Sequence, residues 1–274
     1  MGITVSQIKE MKREGRRITM LTAYDYTMAR LLDESGVDML LVGDSLGMVV
    51  LGYDSTLPVT LEVMIHHTRA VSRGAKKALV VGDLPFLTYH ASIEEAIHNA
   101  GRFLQEGGAQ AVKVEGGVHI APTVKAIVNC GIPVMGHIGL TPQSINQLGG
   151  FKVQGKTDQA AAGLIADAKA LEEAGAFAIV LECIPAPLSK LITERVNVAT
   201  IGIGAGVHCD GQVQVIHDVL GLFPDFVPRH ARQYARLGDE VRAVAKQYIE
   251  DVRNSSFPTM KESFAMDETL LSDI

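Results

Sequence analysis

Eight short apolar runs recur along this chain, separated by helix-spaced stretches or glycine-marked turns, and few folds accommodate that pattern. The runs are 17–24 (RITMLTAY), 37–43 (VDMLLVG), 78–82 (ALVVG), 110–114 (QAVKV), 132–138 (IPVMGHI), 176–182 (AFAIVLE), 198–203 (VATIGI) and 213–218 (VQVIHD). Several are nearly continuous Val, Ile and Leu, as in strands covered on both faces. Helical patterns fall between them at 61–75, 92–108 and 158–175, the second opening on Ser92 and Glu95 in capping-box spacing, the third on an Asp158 cap. Gly36, Gly108, Gly131 and Gly175 each precede an apolar run, where helices hand over to strands. Repeated eight times, this alternation predicts an α/β fold, a (β/α)8 TIM barrel with an N-terminal helix. Such barrels take about 250 residues. The 274 residues are therefore expected to form one domain over 1–274, with a tail from about 255 to 274.

Two departures from a regular barrel are expected. Only AGVHCDGQ (205–212) separates the seventh and eighth runs, too little for a full helix, so the seventh connection is irregular. The stretches 46–60 and 140–157 are long loops after the second and fifth strands, on the face where barrel loops act as lids. A long amphipathic helix is predicted over 230–253.

Four acids stand where strands end: Asp44 in LLVGDS, Asp83 in LVVGDLP, Glu115 in AVKVEGG and Glu182 in IVLECIP. In a parallel barrel, strand ends on one face surround one pocket, so these carboxylates converge. Alone, each aspartate reads equally as a helix cap or turn residue. VGD appearing twice on neighbouring strands, with a third acid beyond, suits a hard divalent cation such as Mg²⁺ at Asp44, Asp83 and Glu115. Zinc is disfavoured because no His pair has ligand spacing. Lys113 and Glu115 are two apart on one strand and point to the same side. Either they are functional or they form a buried ion pair closing the barrel. Glu182, outside the metal set, suits a general base, with a salt bridge to a basic residue as the bland alternative. His137 reads equally as a substrate donor or a satisfied strand end. GIGAG (202–206) reads as a phosphate cradle or a tight reversal.

Composition narrows the partners. Net charge is −6, there is no Trp and no long basic stretch, which argues against nucleic acid. No apolar run approaches 18 residues, so no membrane span is predicted. Three cysteines without a C-x-x-C pair imply a reducing cytoplasm. The start MGITVS matches a short acylation pattern, but an ordinary start before an amphipathic helix explains it as well.

LTAYDYTMA (21–29), LVGDSLGMVVLGYDSTLPVT (41–60), VGDLPF (81–86), VKVEGG (112–117), GHIGLTPQ (136–143) and VLECIP (180–185) together closely resemble the ketopantoate hydroxymethyltransferase family. The resemblance implies transfer of a hydroxymethyl group from 5,10-methylenetetrahydrofolate to the keto acid 3-methyl-2-oxobutanoate, in pantothenate synthesis. It implies one Mg²⁺ per subunit on Asp44 and Asp83, with Glu115 as a third acid acting through water. It further implies keto-acid binding by Asp44, Ser45, Asp83 and Lys113, and Glu182 as proton acceptor. A cytoplasmic homo-oligomer, often a decamer, is the family's usual state. Two other readings remain. One is a magnesium lyase of the isocitrate lyase and phosphoenolpyruvate mutase group, whose Lys-Lys-Cys-Gly-His context is missing. The other is a barrel that has lost catalysis, which the intact VGD pair and Glu182 argue against.

Overall fold

The computed structural model describes residues 2–223 and 226–271. Eight strands close a parallel barrel in sequential order: β1 Ile18–Thr22, β2 Met39–Val42, β3 Leu79–Asp83, β4 Ala111–Glu115, β5 Val134–Gly139, β6 Ala178–Glu182, β7 Ala199–Ile203 and β8 Gly211–Gln214, with β8 paired to β1. The predicted barrel is therefore the observed one. β2, β3, β4 and β7 are buried throughout, because helices cover the outside while side chains fill the inside.

The N-terminal helix Val5–Arg13 begins at a Thr4–Gln7 capping box. Its Ile8 and Met11 join Ile18, Met20, Met39 and Leu79 in the barrel's core cluster. Each such burial contributes roughly 1.5–3 kcal/mol. The helix is fastened by Lys12, whose Nζ lies 2.9 Å from Asp210 Oδ2 and also donates to Thr193 O. All four handover glycines have positive φ, from 72° to 97°. That region is costly for residues with a Cβ.

Among the described residues, several element edges differ from those the apolar runs predict. The last strand lies at Gly211–Gln214, not 213–218, and helix Ile216–Leu220 takes the remainder. Gly211 belongs to the barrel wall, paired with Ile18 and Ile201, and glycine suits it because a Cβ there would stand 2.4 Å from Ile18 O. No helix intervenes between β7 and β8, so the irregular seventh connection is observed. Within GIGAG, Gly204 and Gly206 both have positive φ. The third predicted helix, Asp158–Glu173, is capped by Thr157, not Asp158, which instead supplies first-turn negative charge. The loop 46–60 opens with one helical turn, Leu46–Val49; 140–157 opens with a 3-10 turn, Pro142–Ser144, and the helical turn Ile145–Leu148.

The described chain groups into two compact units. The barrel unit runs through Ile216 and takes in Pro228–Ala231. The second comprises 217–227 and 232–274 as far as described. There the long helix starts at Leu237 rather than 230 and ends at Arg253. Residues before it form an irregular segment instead, with Tyr234 N–H donating to Val219 O and Ala235 O close against Gly221. The tail beyond is exposed over 254–268 and reaches a 3-10 turn at Glu268–Leu271; its last three residues lie outside the described residues.

One buried acid ties helix Tyr26–Glu34 to the entrance of β3. Asp33 Oδ1 accepts from Lys77 N–H (2.8 Å) and Ala78 N–H (2.7 Å). Burial opposes its charge, but the backbone donors of Ala78, Lys77 and Lys76 together win and lower its pKa. Asp33→Asn is expected to cost about 1–2 kcal/mol at pH 7. Because the folded-state value is depressed, Asp33 contributes its stability above about pH 4 and loses it as pH falls through that value. Urea unfolding of both proteins at pH 7 and pH 3 should show the gap shrinking in acid.

Candidate active site

The acids do meet. β2, β3, β4 and β6 deliver Asp44, Asp83, Glu115 and Glu182 to the same end of the barrel, where strand ends build the pocket. Strand register sets the neighbours: Asp83 sits opposite Lys113, and Glu115 opposite His137. Gly82, the glycine of the second VGD, lets this strand accept a helix behind it, since a Cβ would lie 2.3 Å from the Phe103 ring.

Lys113 is the central cation. Its Nζ donates to Asp83 Oδ1 at 2.6 Å and lies 3.6 Å from Glu115 Oε1. The Lys–Glu pair, one of the two readings of this spacing, is present, but Lys–Asp is the shorter contact. Burial would strip the charge from Lys113, yet Asp83, Glu115 and Asp44 outweigh it and hold the ammonium charged, its pKa raised. Glu115 accepts from the backbone N–H of Gln143 at 3.0 Å and faces His137 Nδ1 at 3.2 Å. Burial penalises its charge too, but Lys113 and His137 prevail and lower its pKa.

Asp44 behaves differently. Burial first, then the charges of Asp83 and Glu115, push it well above the ordinary carboxylate value. Burial likewise raises Asp83, with Lys113 pulling the other way. The backbone N–H of Asp44 reaches Asp83 Oδ2 at 3.3 Å, so the two aspartates are adjacent. Ser45 lies beside them, its Oγ 2.9 Å from the Tyr24 hydroxyl.

His137 bridges two acids. Besides Glu115, its Nε2 stands 3.2 Å from Glu182 Oε2. That nitrogen has no aligned hydrogen-bond acceptor among the described residues, so the contact is an ion pair seen off-axis. Burial and Lys113 oppose a charge on the ring, but Glu115 and Glu182 overcome them and lift its pKa to about 9. The basic residue beside Glu182 is thus a histidine. At 15% exposure Glu182 is the most open of the four carboxylates, against 3% for Glu115 and 1% for Asp83.

Two participants carried no sequence signal of their own. Gln143 donates through Nε2 to Asp44 Oδ2 and to Leu84 O, both at 2.9 Å. Tyr89 donates its O–H to Gln143 Oε1 at 2.7 Å and accepts from Glu115 N–H at 3.0 Å. Burial, then the charge of Glu115, hold Tyr89 well above the usual phenol value. Both residues fall in stretches that read as loop, where burial of an amide or phenol leaves no periodic trace.

The donor set is oxygen-rich. Asp44, Asp83, Glu115 and Glu182 face Lys113 and His137, a deficit of two positive charges when all are ionised. Asp44 Oδ1 accepts no hydrogen bond among the described residues. Free carboxylate oxygen and excess negative charge fit a hard divalent cation. Among the described residues, however, no three His, Cys, Asp or Glu groups stand pre-assembled around a cation position. Glu115 is turned towards Lys113, His137 and Gln143.

Comparison with known proteins places the fold and the family. A 2,3-dimethylmalate lyase of the phosphoenolpyruvate mutase/isocitrate lyase superfamily superposes with TM-score 0.59 at 15% identity, covering 100% of this chain and 99% of the lyase. A phosphonopyruvate hydrolase in complex with oxalate and Mg²⁺ superposes with TM-score 0.60 at 13% identity, over 95% and 93% of the two chains. At such identities the likeness is one of fold. Sequence relatives are much nearer. The 3-methyl-2-oxobutanoate hydroxymethyltransferase of Dehalococcoides mccartyi (strain CBDB1) is 61% identical over 100% of this chain and 98% of its own length. That of Syntrophus aciditrophicus (strain SB) is 63% identical, with 96% of each chain covered. Residues 2–260 match the Ketopantoate hydroxymethyltransferase family, and with whole-length relatives at this identity the chain belongs to that family of transferases.

Proposed function

We propose that this enzyme joins the methylene carbon of 5,10-methylenetetrahydrofolate to C3 of 3-methyl-2-oxobutanoate, giving 2-dehydropantoate for pantothenate synthesis. A new C–C bond forms at C3, water supplies the hydroxyl group, and tetrahydrofolate leaves. The observation that supports this reading best is the meeting of Asp44, Asp83, Lys113, Glu115 and Glu182 at one barrel mouth, with acid and cation partners sorted between them.

Asp44 and Asp83, adjacent at the barrel mouth, would hold one Mg²⁺ per subunit, with Glu115, which is turned towards His137 and Gln143, contributing through water. Bound there, the ion would act as a Lewis acid on the keto oxygen of the substrate. Lys113, kept charged by its acidic neighbours, donates a hydrogen bond to that developing negative charge. Ser45, held by Tyr24, and the aspartates orient the keto acid. Glu182 takes the C3 proton, its carboxylate held by His137. In this reading the protein works in the cytoplasm as a homo-oligomer, a decamer by family resemblance alone. Among the described residues no helix is long and apolar enough to cross a membrane.

Metal removal tests the reading. After dialysis against EDTA, formation of 2-dehydropantoate should fall to background, and added Mg²⁺ should restore it. Undiminished turnover in the stripped enzyme would overturn the metal assignment. Turnover of a different keto acid in place of 3-methyl-2-oxobutanoate would overturn the substrate.

A further inference from the structure

We infer that Gln143 and Tyr89 are a positioning pair that aims Asp44 at the divalent cation and thereby sets cation affinity; the inference rests on the metal reading above. Gln143 occupies the short 3-10 turn Pro142–Ser144, at the start of the long loop after β5. Its side chain is buried and every polar atom of the amide is used. Nε2 donates to Asp44 Oδ2 and Leu84 O, while Oε1 accepts from Tyr89. Turning the amide over would set its oxygen against a carboxylate and a carbonyl, so the hydrogen bonds themselves fix its orientation.

Tyr89 fixes the other end. Its oxygen accepts Glu115 N–H, and its single hydrogen goes to Gln143 Oε1 as the shortest available contact. The bonds therefore run in one sense, from the Glu115 amide through Tyr89 and Gln143 to Asp44. Chains of this kind strengthen their terminal donor. The main-chain N–H of Gln143 meanwhile holds Glu115 Oε2. One residue from the loop after β5 thus sets the carboxylates that end β2 and β4.

The consequence is a choice of oxygen. Gln143 occupies Oδ2 of Asp44 and leaves Oδ1 without a protein donor among the described residues. Asp83, by contrast, gives one oxygen to Lys113 and the other to the Asp44 N–H. Without the amide, Asp44 is free to rotate, and its ligand oxygen must be ordered by the cation itself. Outer donors to metal ligands typically change affinity about 10–100-fold.

The test is a Mn²⁺ titration followed by electron paramagnetic resonance of the free ion, with and without 3-methyl-2-oxobutanoate. Wild type, Gln143→Leu, Tyr89→Phe and Asp44→Asn are compared, and each is also followed by thermal unfolding. Gln143→Leu should bind Mn²⁺ about 10–100-fold more weakly. Tyr89→Phe, which leaves the amide present but unanchored, should weaken binding about fivefold. Wild-type affinity in both variants, with only their melting temperatures lowered and Asp44→Asn still defective, would overturn the pair's role and leave the metal reading standing. Failure of the wild type to bind Mn²⁺ under either condition would overturn the metal reading and this inference together.

Discussion

Lys113→Met is expected to lose about 10²–10³-fold in kcat, the usual cost of removing one donor to a developing oxyanion. Its second effect is on the fold. Lys113 is a buried cation between Asp83 and Glu115, and removing it strands their charges. Breaking a buried pair in this way costs about 3–5 kcal/mol. The loss should depend on pH, and the sign follows from the groups left behind. With the ammonium gone, burial and mutual repulsion raise the carboxylates of Asp83 and Asp44 further above their unfolded values. Such groups are stable when protonated, so the metal-free variant should lose stability as pH rises from about 4 to 8. The wild-type lysine, its folded value raised above the ordinary 10.5, keeps its full contribution throughout that window. Urea unfolding in EDTA at pH 5 and pH 8 reads the difference directly. A variant that is destabilised yet catalyses at the wild-type rate per folded molecule would make Lys113 a structural ion only.

The same lysine shows what a sequence can carry and where it stops. Two-residue spacing on β4 set Lys113 and Glu115 on one side, and the structure agrees. The dominant partner, Asp83, lies thirty positions away, and only strand register brings it to 2.6 Å. Barrel order was legible because apolar runs and glycine handovers repeat locally. Edges failed where glycine had two meanings. Gly211 reads as loop, yet it is a strand residue, and it is glycine because β1 passes too close for a Cβ. In the same way HARQYAR has helical composition, but Tyr234 N–H bonds to Val219 O and the helix waits until Leu237. Acids at strand ends announce themselves by position. Gln143 and Tyr89 act through burial and hydrogen-bond direction, and neither property is written in local composition.

Glu182→Gln is expected to abolish proton removal while sparing substrate binding. Glutamine has the size of glutamate and cannot accept a proton at neutral pH, so the loss of a general base should appear as about 10²–10⁴-fold in kcat. The partial reaction isolates the step. Wild type with Mg²⁺ and 3-methyl-2-oxobutanoate in heavy water, without folate, should replace the C3 hydrogen by deuterium, which proton NMR records as a vanishing signal. Glu182→Gln should not. The geometry gives the reason for choosing this acid over the other three. Asp83 is committed to Lys113, Glu115 to Lys113, His137 and Gln143, and Asp44 to Gln143. Glu182 makes one off-axis contact with His137 and is the most open to the pocket. Keto-acid affinity, measured by calorimetry with Mg²⁺, should change little, because Ser45, Lys113 and the aspartates are untouched. Asp83→Asn gives the contrasting result, since it sits among the binding groups and should lose affinity and exchange together. Exchange at the wild-type rate in Glu182→Gln would move the base elsewhere, and His137, which touches both Glu115 and Glu182, would be the next residue to replace.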